Sequence, residues 1–407
     1  MMNTLNQRSV HGTIRHRVAA SGFTLIEVLV AMVIGIISMV VVLQTFSASE
    51  STKRTTTGGD DAQVAGAMGL FNLQRDMTQA GYGVTATPII GCSVTMPAAG
   101  GSKVIPLAPV TINPPTSLIP AGDANTDTLL IVYGNTNGVT DGDVVQGVVG
   151  KAYTMQGGVG WTAADYVAGV QYSGAHPTSS APSPCGGSGL DKIASTTTTT
   201  VNVTNGGLPS STNSNYVLYD LGPSPSVVGY RVYNAALTSC NYVTTNCSSA
   251  ANWSEVQPNI VSMRAVYGHD TASPKMSGIA STWDQTTPTT PAPSTCSWLR
   301  IPAVAIALVA RNGTAVNSNA SNSANGTVAA GSYVTTASPR WQEPVWSTSV
   351  LTWNSAVATY IDIDLSGTNA ALPSGMTWQN YRYRLYSTVV PLHNVTWAVG
   401  GQAADQC

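Results

Sequence analysis

The sequence predicts an α+β protein. A long N-terminal α-helix, membrane-spanning in its first half, packs on an antiparallel β-rich globular head with long polar loop insertions. Residues 23–43 form a predominantly apolar run, and no proline interrupts residues 44–80. After Gly83 the chain turns to short apolar stretches separated by Pro, Gly and Asn. Strands that follow one another without helical patterns between them indicate antiparallel pairing.

The run from Phe23 to Leu43 is long enough to cross a membrane as a helix. At 1.5 Å per residue it measures about 31 Å, close to the roughly 30 Å hydrocarbon core of a bilayer. It contains an acid, Glu27. A carboxylate in such a segment costs on the order of 2–4 kcal/mol, so chains seldom keep one without a partner or a function. Glu27 is therefore a candidate functional residue.

The segment before this run is basic. Residues 1–22 contain Arg8, Arg15 and Arg17 and no acid. Since positive charge favours the cytoplasmic side, this end is expected to stay inside and the head to lie outside. A secretory signal places its small-residue cleavage site after the apolar core, whereas Gly22 comes before it. The segment is thus not an ordinary secretory signal.

Gly22, the stretch Phe23-Thr24-Leu25-Ile26-Glu27 and the apolar run together resemble the class III signal of type IV prepilins and type II secretion pseudopilins. In that family a prepilin peptidase cuts after the glycine, and the same system methylates the new N-terminal residue. The resemblance implies cleavage between Gly22 and Phe23, N-methylation of Phe23, and Glu27 as the fifth residue of the mature chain. The leader is longer than is usual in the family.

Cleavage would leave an amine on Phe23, a cation near neutral pH. That amine cannot pair with the acid four residues further along its own helix. In a neighbouring subunit, however, Glu27 can pair with it, so two charges that are each costly in apolar surroundings compensate one another. We interpret Glu27 as a residue of subunit assembly that fixes register. The alternative is a plain signal anchor whose Glu27 sits among lipid headgroups.

The helix is expected to continue beyond the membrane. Val64, Met68, Phe71, Leu73 and Met77 recur near helical spacing and predict one apolar face for a sheet to cover. Residues 55–60, rich in threonine and glycine, predict a break or kink, and Gly81 is a good terminating residue. The expected organisation is a leader at 1–22, an assembly helix at 23–80 and a head at 81–407.

Strands are predicted where β-branched and aromatic residues cluster. The segments are 127–134, 216–221, 227–233, 260–267, 304–310, 359–365, 381–386 and 389–392. Residues 173–189, 196–200, 286–295 and 312–331 are polar and predict loops or insertions. Residues 72–83, 256–268, 304–311 and 381–394 resemble blocks of the PilW family of minor pilins.

The cysteine pattern favours disulfides. All six cysteines follow the apolar run, on the side expected to be oxidising. Cys240 and Cys247 enclose a short loop and are the expected pair. Cys92, Cys185, Cys296 and Cys407 allow three connectivities that the sequence does not rank. A zinc site is the rival interpretation, but there is no Cys-x-x-Cys and the histidines lack ligand spacing.

Other function classes find little support. Charged residues are 9% and the net charge is −2, which gives no basic field for nucleic acid. Residues 123–127 mimic a calcium loop but lack its glycine and final glutamate, so a turn into a strand is favoured. No catalytic constellation emerges, and neither a cofactor nor a metal is expected. Tryptophans at 341, 346, 353 and 378 are expected to pack in the core rather than stack on glycans.

The resemblance therefore implies a minor pilin of a type IV pilus that primes assembly, is sited in a tip complex, and supports twitching motility, adhesion or DNA uptake. Its implied partners are the prepilin peptidase/methyltransferase, other minor pilins, the major pilin, the inner-membrane assembly platform and membrane lipid. It would sit in the inner membrane before assembly and on the pilus afterwards. The alternatives are a J-type pseudopilin of a type II secretion system, or a signal-anchored adhesin or carbohydrate-binding protein.

Overall fold

The computed structural model describes residues 22–86, 89–138, 140–158, 160–171, 189–208, 216–288, 294–315, 335–342, 356–357, 360–373 and 376–399. The chain divides into two compact units, residues 1–54 and residues 55–407. Their boundary falls within the first helix.

Helix α1 spans Leu25–Gln79. Residues 55–60 are helical, so the predicted break there is wrong. Packing explains the glycine at position 58, because a Cβ added there would lie 3.0 Å from the Cβ of Asn312. The predicted end is confirmed: Gly81, just beyond the helix, has a φ of +86° and donates its N–H to the Val132 carbonyl at 2.8 Å.

Antiparallel strands dominate the second unit and confirm the predicted fold class. Two further helices are α2 (Ser294–Leu299) and α3 (His393–Val399), and short 3-10 helices lie at Ala250–Asn252, Ser366–Ala371 and Trp378–Asn380. The strands are β1 (Ser93–Met96), β2 (Lys103–Pro106), β3 (Val110–Ile112), β4 (Leu129–Tyr133), β5 (Asp143–Val149), β6 (Ala152–Met155), β7 (Tyr166–Gln171), β8 (Gly189–Thr196), β9 (Thr200–Val203), β10 (Tyr216–Gly222), β11 (Ser226–Tyr233), β12 (Ala236–Asn241), β13 (Ser254–Pro258), β14 (Ile260–His269), β15 (Thr282–Asp284), β16 (Ala303–Arg311), β17 (Arg340–Trp341), β18 (Ala356–Val357), β19 (Tyr360–Asp362) and β20 (Tyr383–Pro391).

Every predicted strand segment overlaps an observed strand. The last two predicted segments are a single strand, β20, which begins at Tyr383 and contains Pro391. The predicted loop at 196–200 is the turn between β8 and β9, whereas the one at 286–295 runs into α2, which the sequence did not predict. Most of the predicted loops at 173–189 and 312–331 lies outside the described residues.

The strands form several sheets. A closed barrel has the order β10-β5-β6-β9-β8-β7, and a five-stranded sheet has the order β13-β12-β11-β4-β3. A four-stranded sheet has the order β15-β14-β16-β20, and two smaller sheets are β1-β2 and β17-β19-β18. The β1-β2 sheet contacts barrel strand β8, and β17 contacts β20. The barrel was not predicted, because its closure depends on β10 pairing with both β5 and β7. Such non-local pairing leaves no local pattern in the sequence.

The largest core cluster joins α1 to the five-stranded sheet and to the four-stranded sheet. Ala62, Ala65, Leu73 and Met77 of the helix are buried with residues of β3, β4, β11 and β12 and of β14, β16 and β20. Small helix residues allow this close approach. A Cβ added at Gly66 would lie 2.1 Å from the Tyr386 ring of β20. Small residues thus form part of the helix face that lies against the sheets. A search for periodic hydrophobic residues does not detect such positions.

The predicted apolar face of α1 is only partly right. Leu73 and Met77 are fully buried, but Val64, Met68 and Phe71 are between 50% and 61% exposed. These three follow i, i+4, i+7 spacing and form a separate stripe, hereafter the exposed stripe. The reason is geometric, because the residues that touch the sheets lie on a different side of the helix.

Asp127 lies at the centre of a buried polar network. Its carboxylate accepts hydrogen bonds from Asn113 Nδ2 at 3.0 Å, Ala265 N at 3.0 Å and Gln285 Nε2 at 2.7 Å. The Arg264 guanidinium lies 3.5 Å away, and both charged residues are almost fully buried. Burial raises the pKa of Asp127, while Arg264 pulls it down. The calcium-like stretch at 123–127 is thus a turn leading into β4, as predicted, and it links two sheets.

A second buried carboxylate fixes α1 to the five-stranded sheet. The Tyr230 hydroxyl on β11 donates to Asp76 Oδ2 at 2.6 Å. Burial, followed by the neighbouring Asp76, raises the pKa of Tyr230, so the phenol stays protonated and keeps donating.

At the end of the helix, Asn394 of α3 donates its Nδ2 to the carbonyls of Gln79 and Ala80, each at 3.1 Å.

The Cys240–Cys247 disulfide is confirmed. Cys92 and Cys296 are also disulfide-bonded. Cys185 and Cys407 lie outside the described residues, so the remaining connectivity stays a prediction.

Removing the short disulfide is expected to weaken the head without unfolding it. The double substitution Cys240→Ala, Cys247→Ala should lower the free energy of unfolding by about 2–3 kcal/mol, since the bridge closes a small loop of the unfolded chain. Guanidinium unfolding of the full chain, followed by tryptophan fluorescence, measures the change. An unchanged midpoint would mean that the loop is held by its packing against Tyr242 and Trp253 instead.

Candidate assembly site at the N-terminal helix

The start of α1 is fixed by Thr24. Its carbonyl accepts the N–H of Glu27 at 3.0 Å and of Val28 at 3.2 Å, and its hydroxyl lies 3.4 Å from the Glu27 N–H. Thr24 therefore lies at the N-cap position, and Glu27 occupies the third helical position. This is the spacing of a capping box, of which the bond from the Glu27 N–H to Thr24 is observed. The T-x-x-E spacing is visible in the sequence, but neither the assembly interpretation of Glu27 nor the headgroup alternative made use of it.

The residues at the predicted cleavage site are exposed. A Cβ added at Gly22 would have no atom within 4 Å, and Phe23 is 79% exposed. Among the described residues, no side chain therefore obstructs a peptidase at the bond between them. The predicted processing residues Gly22 and Phe23 and the predicted assembly residue Glu27 lie within one short stretch.

The helix that follows is apolar on all sides. Residues 25–50 are long and apolar enough to cross a membrane, and none of that span is buried within the protein. A helix that is apolar around its whole circumference needs lipid or other helices as its surroundings. Glu27 is exposed on it and presents its carboxylate outward.

The other candidate groups lie in the second unit. The paired cysteines 240 and 247 are buried in a core cluster with residues of the five-stranded sheet and the barrel. Trp341 is buried in the core of the four-stranded sheet, as expected, and Trp378 packs beside that core. Trp346 and Trp353 lie outside the described residues. Within the described part of the chain, no group of three or more His, Cys, Asp or Glu is placed to hold a metal.

Comparison with protein families gives two matches. The prokaryotic N-terminal methylation motif matches residues 17–43, and the PilW family, described as type IV pilus-assembly protein W, matches residues 233–394. The residues that match PilW, hereafter the PilW region, follow an N-terminus that matches the methylation motif. Together the matches support a pilin associated with a type IV pilus, anchored in a membrane by its apolar helix. No curated protein and no solved structure matches the chain.

The PilW region begins at the last residue of β11 and runs through β20 into α3. It thus contains the whole four-stranded sheet and Asn394, which binds the end of α1. The barrel of β5 to β10 precedes it. PilW is a family of structural assembly components rather than of known enzymes.

Proposed function

We propose that this protein is a minor pilin of a type IV pilus that helps to prime assembly and is sited in a complex at the pilus tip. The observation that carries the proposal is the Gly22–Glu27 motif at the start of an exposed apolar helix, in a chain whose residues 233–394 match PilW. The barrel adds bulk that a tip position accommodates more readily than a repeating shaft. Twitching motility, adhesion or DNA uptake would depend on the resulting pilus.

The partners of this protein follow from the steps of processing and assembly. A prepilin peptidase/methyltransferase would cut after Gly22 and methylate Phe23 while the helix is held in the inner membrane with its N-terminus in the cytoplasm. The inner-membrane assembly platform would then bring the helix beside other minor pilins and the major pilin. The head would be periplasmic before assembly and on the pilus afterwards.

Within the bundle, the new Phe23 amine of one subunit would pair with Glu27 of its neighbour. Each charge alone is costly in apolar surroundings, and a wrongly staggered subunit would leave both without a partner. The pair therefore selects the register of packing. Before assembly, the capping position of Glu27 gives its carboxylate a favourable place at the positive end of the helix dipole.

Deletion followed by complementation tests the proposal. Loss of the gene should reduce surface pili, counted by electron microscopy, and restoration of the full chain should recover them. Secretion of folded exoproteins should be unchanged. Loss of secretion with normal piliation would instead assign the chain to a type II secretion system.

The exposed stripe is expected to contact a neighbouring pilin. Phe71→Asp should reduce the amount of this protein in sheared pili at least about tenfold, because it places a charge in an apolar contact. Stability should change by less than about 0.5 kcal/mol, since Phe71 is largely exposed and Arg75 follows one turn later. Immunoblots of sheared pili and whole cells measure both incorporation and total protein.

The matched control is Val149→Asp, on an 83% exposed residue of the barrel strand β5. It introduces the same charge at an apolar surface position outside the helix. Equal incorporation of the two variants would show that the stripe makes no contact with other pilins.

A further inference from the structure

A groove lies where α1 ends and the head begins. Two cavities of about 400 Å³ and about 380 Å³ adjoin there, and both are lined by Tyr82 and Asn394. The first continues to Thr140, Asp141 and Trp397, and the second to Asn135. Cavities of this size hold small organic ligands.

The walls of this groove are fixed by hydrogen bonds. Tyr82 donates its hydroxyl to the Thr136 carbonyl at 3.0 Å, and Asn394 is held by the last carbonyls of the helix. Gly83, which also lines the first cavity, has a φ of +76°, a backbone conformation that favours glycine. The groove is therefore a formed feature of the fold.

Trp397 gives the groove an aromatic surface. Its side chain is 79% exposed, whereas the other tryptophans of the described chain are buried or half-buried. An indole combines a large apolar face with an N–H donor, and leaving it in water forgoes the stabilisation that its burial would give. Its position beside a cavity with both polar and apolar lining indicates a ligand that covers the ring.

The lining chemistry restricts that ligand. Among the described lining residues there is no Lys, Arg or His, and Asp141 is the sole carboxylate. The remaining polar groups are amides, hydroxyls and backbone atoms. These disfavour an anionic ligand such as a phosphate or a nucleic acid, and match a neutral molecule rich in hydroxyl groups.

We propose that this groove binds a neutral saccharide, with one sugar face stacked on Trp397 and hydroxyl groups bonded to Asp141, Thr140 and the neighbouring amides. A sugar ring presents an apolar face of C–H groups and a rim of hydroxyls, which is what the lining requires. A docked protein would favour a broader apolar patch, whereas the residues that line the cavity with Trp397 include Thr140, Asp141 and Asn394. The inference goes beyond the proposed function and does not rest on it.

A glycan array tests the site with the full chain, purified in a zwitterionic detergent that contains no sugar. We expect at least one neutral glycan to bind, with sialylated and sulfated glycans bound more weakly. Trp397→Ala should weaken this binding at least about tenfold, and Asp141→Asn about threefold or more. Both side chains are exposed, so both variants should fold, which thermal unfolding checks.

The matched control is Ile279→Ala, on an apolar side chain that is 69% exposed and lies outside the groove lining. It should bind the same glycan within about twofold of the unsubstituted chain. Binding by no neutral glycan, or equal binding by the Trp397→Ala variant, would overturn the proposal. We expect a strain that carries Trp397→Ala to have normal pili. Loss of pili in that strain would also overturn the proposal, because the groove would then bind a pilus protein.

Discussion

Replacing Glu27 with alanine should nearly abolish incorporation of this protein into pili. The neighbouring Phe23 amine would lose its counter-ion in apolar surroundings, at a cost on the order of 2–4 kcal/mol, which corresponds to tenfold or more in assembly. Processing after Gly22 and membrane insertion should continue, because neither needs the pair. Immunoblots of sheared pili, against whole-cell protein, measure the loss.

The capping geometry supplies a sharper variant. Glu27→Gln removes the charge but keeps a side chain suited to the third position of a capping box, so the helix start should be preserved. Assembly through the ion pair predicts that the glutamine variant fails like the alanine variant. Normal incorporation of the Glu27→Gln protein would mean that Glu27 acts only as a local helix cap. The control is Glu50→Gln, which removes an acid at the other end of the Leu25–Glu50 span. This variant should be incorporated normally.

Replacing Asp127 with alanine should destabilise the head by about 3–5 kcal/mol. The substitution removes the carboxylate that faces the buried Arg264 and leaves the donors of Asn113, Ala265 and Gln285 without that acceptor. Breaking a buried pair from one side is costly because a charge stays behind in a medium of low dielectric constant. Guanidinium unfolding of the full chain, followed by tryptophan fluorescence, measures the effect.

The control is Asp362→Ala, which removes a carboxylate whose Arg340 partner lies 3.1 Å away near the surface. Because exposed pairs are screened by water, this change should cost less than about 1 kcal/mol. If the two aspartates proved equal in effect, the network around Asp127 would not be a main support of the fold.

The sequence predicted the elements whose signals are local. Phe23 to Leu43 stands out by length and composition, Gly81 by its conformational freedom, and β14 and β16 by their β-branched runs. The Cys240–Cys247 bridge followed from a short loop in an oxidising compartment. Each of these depends on neighbours in the chain, which is why inspection of the sequence was sufficient.

The remaining features depend on contacts between distant residues. Barrel closure needs β10 to pair on both edges, and nothing within residues 216–222 records that choice. The sheet-facing side of α1 combines Leu73 and Met77 with Ala and Gly residues that a hydrophobic pattern does not mark. The pattern therefore also predicts Val64, Met68 and Phe71 in the core, although they lie outside it. In the sequence Trp397 resembles any other aromatic residue, and only the fold places it beside the groove.

Mass spectrometry of the mature N-terminus, from protein purified from the native host, tests the central claim most directly. We predict a chain that begins at Phe23, carries one methyl group on its amine, and lacks residues 1–22. An intact leader, or cleavage at another bond, would contradict the assignment of Gly22, Phe23 and Glu27 to pilin processing and assembly.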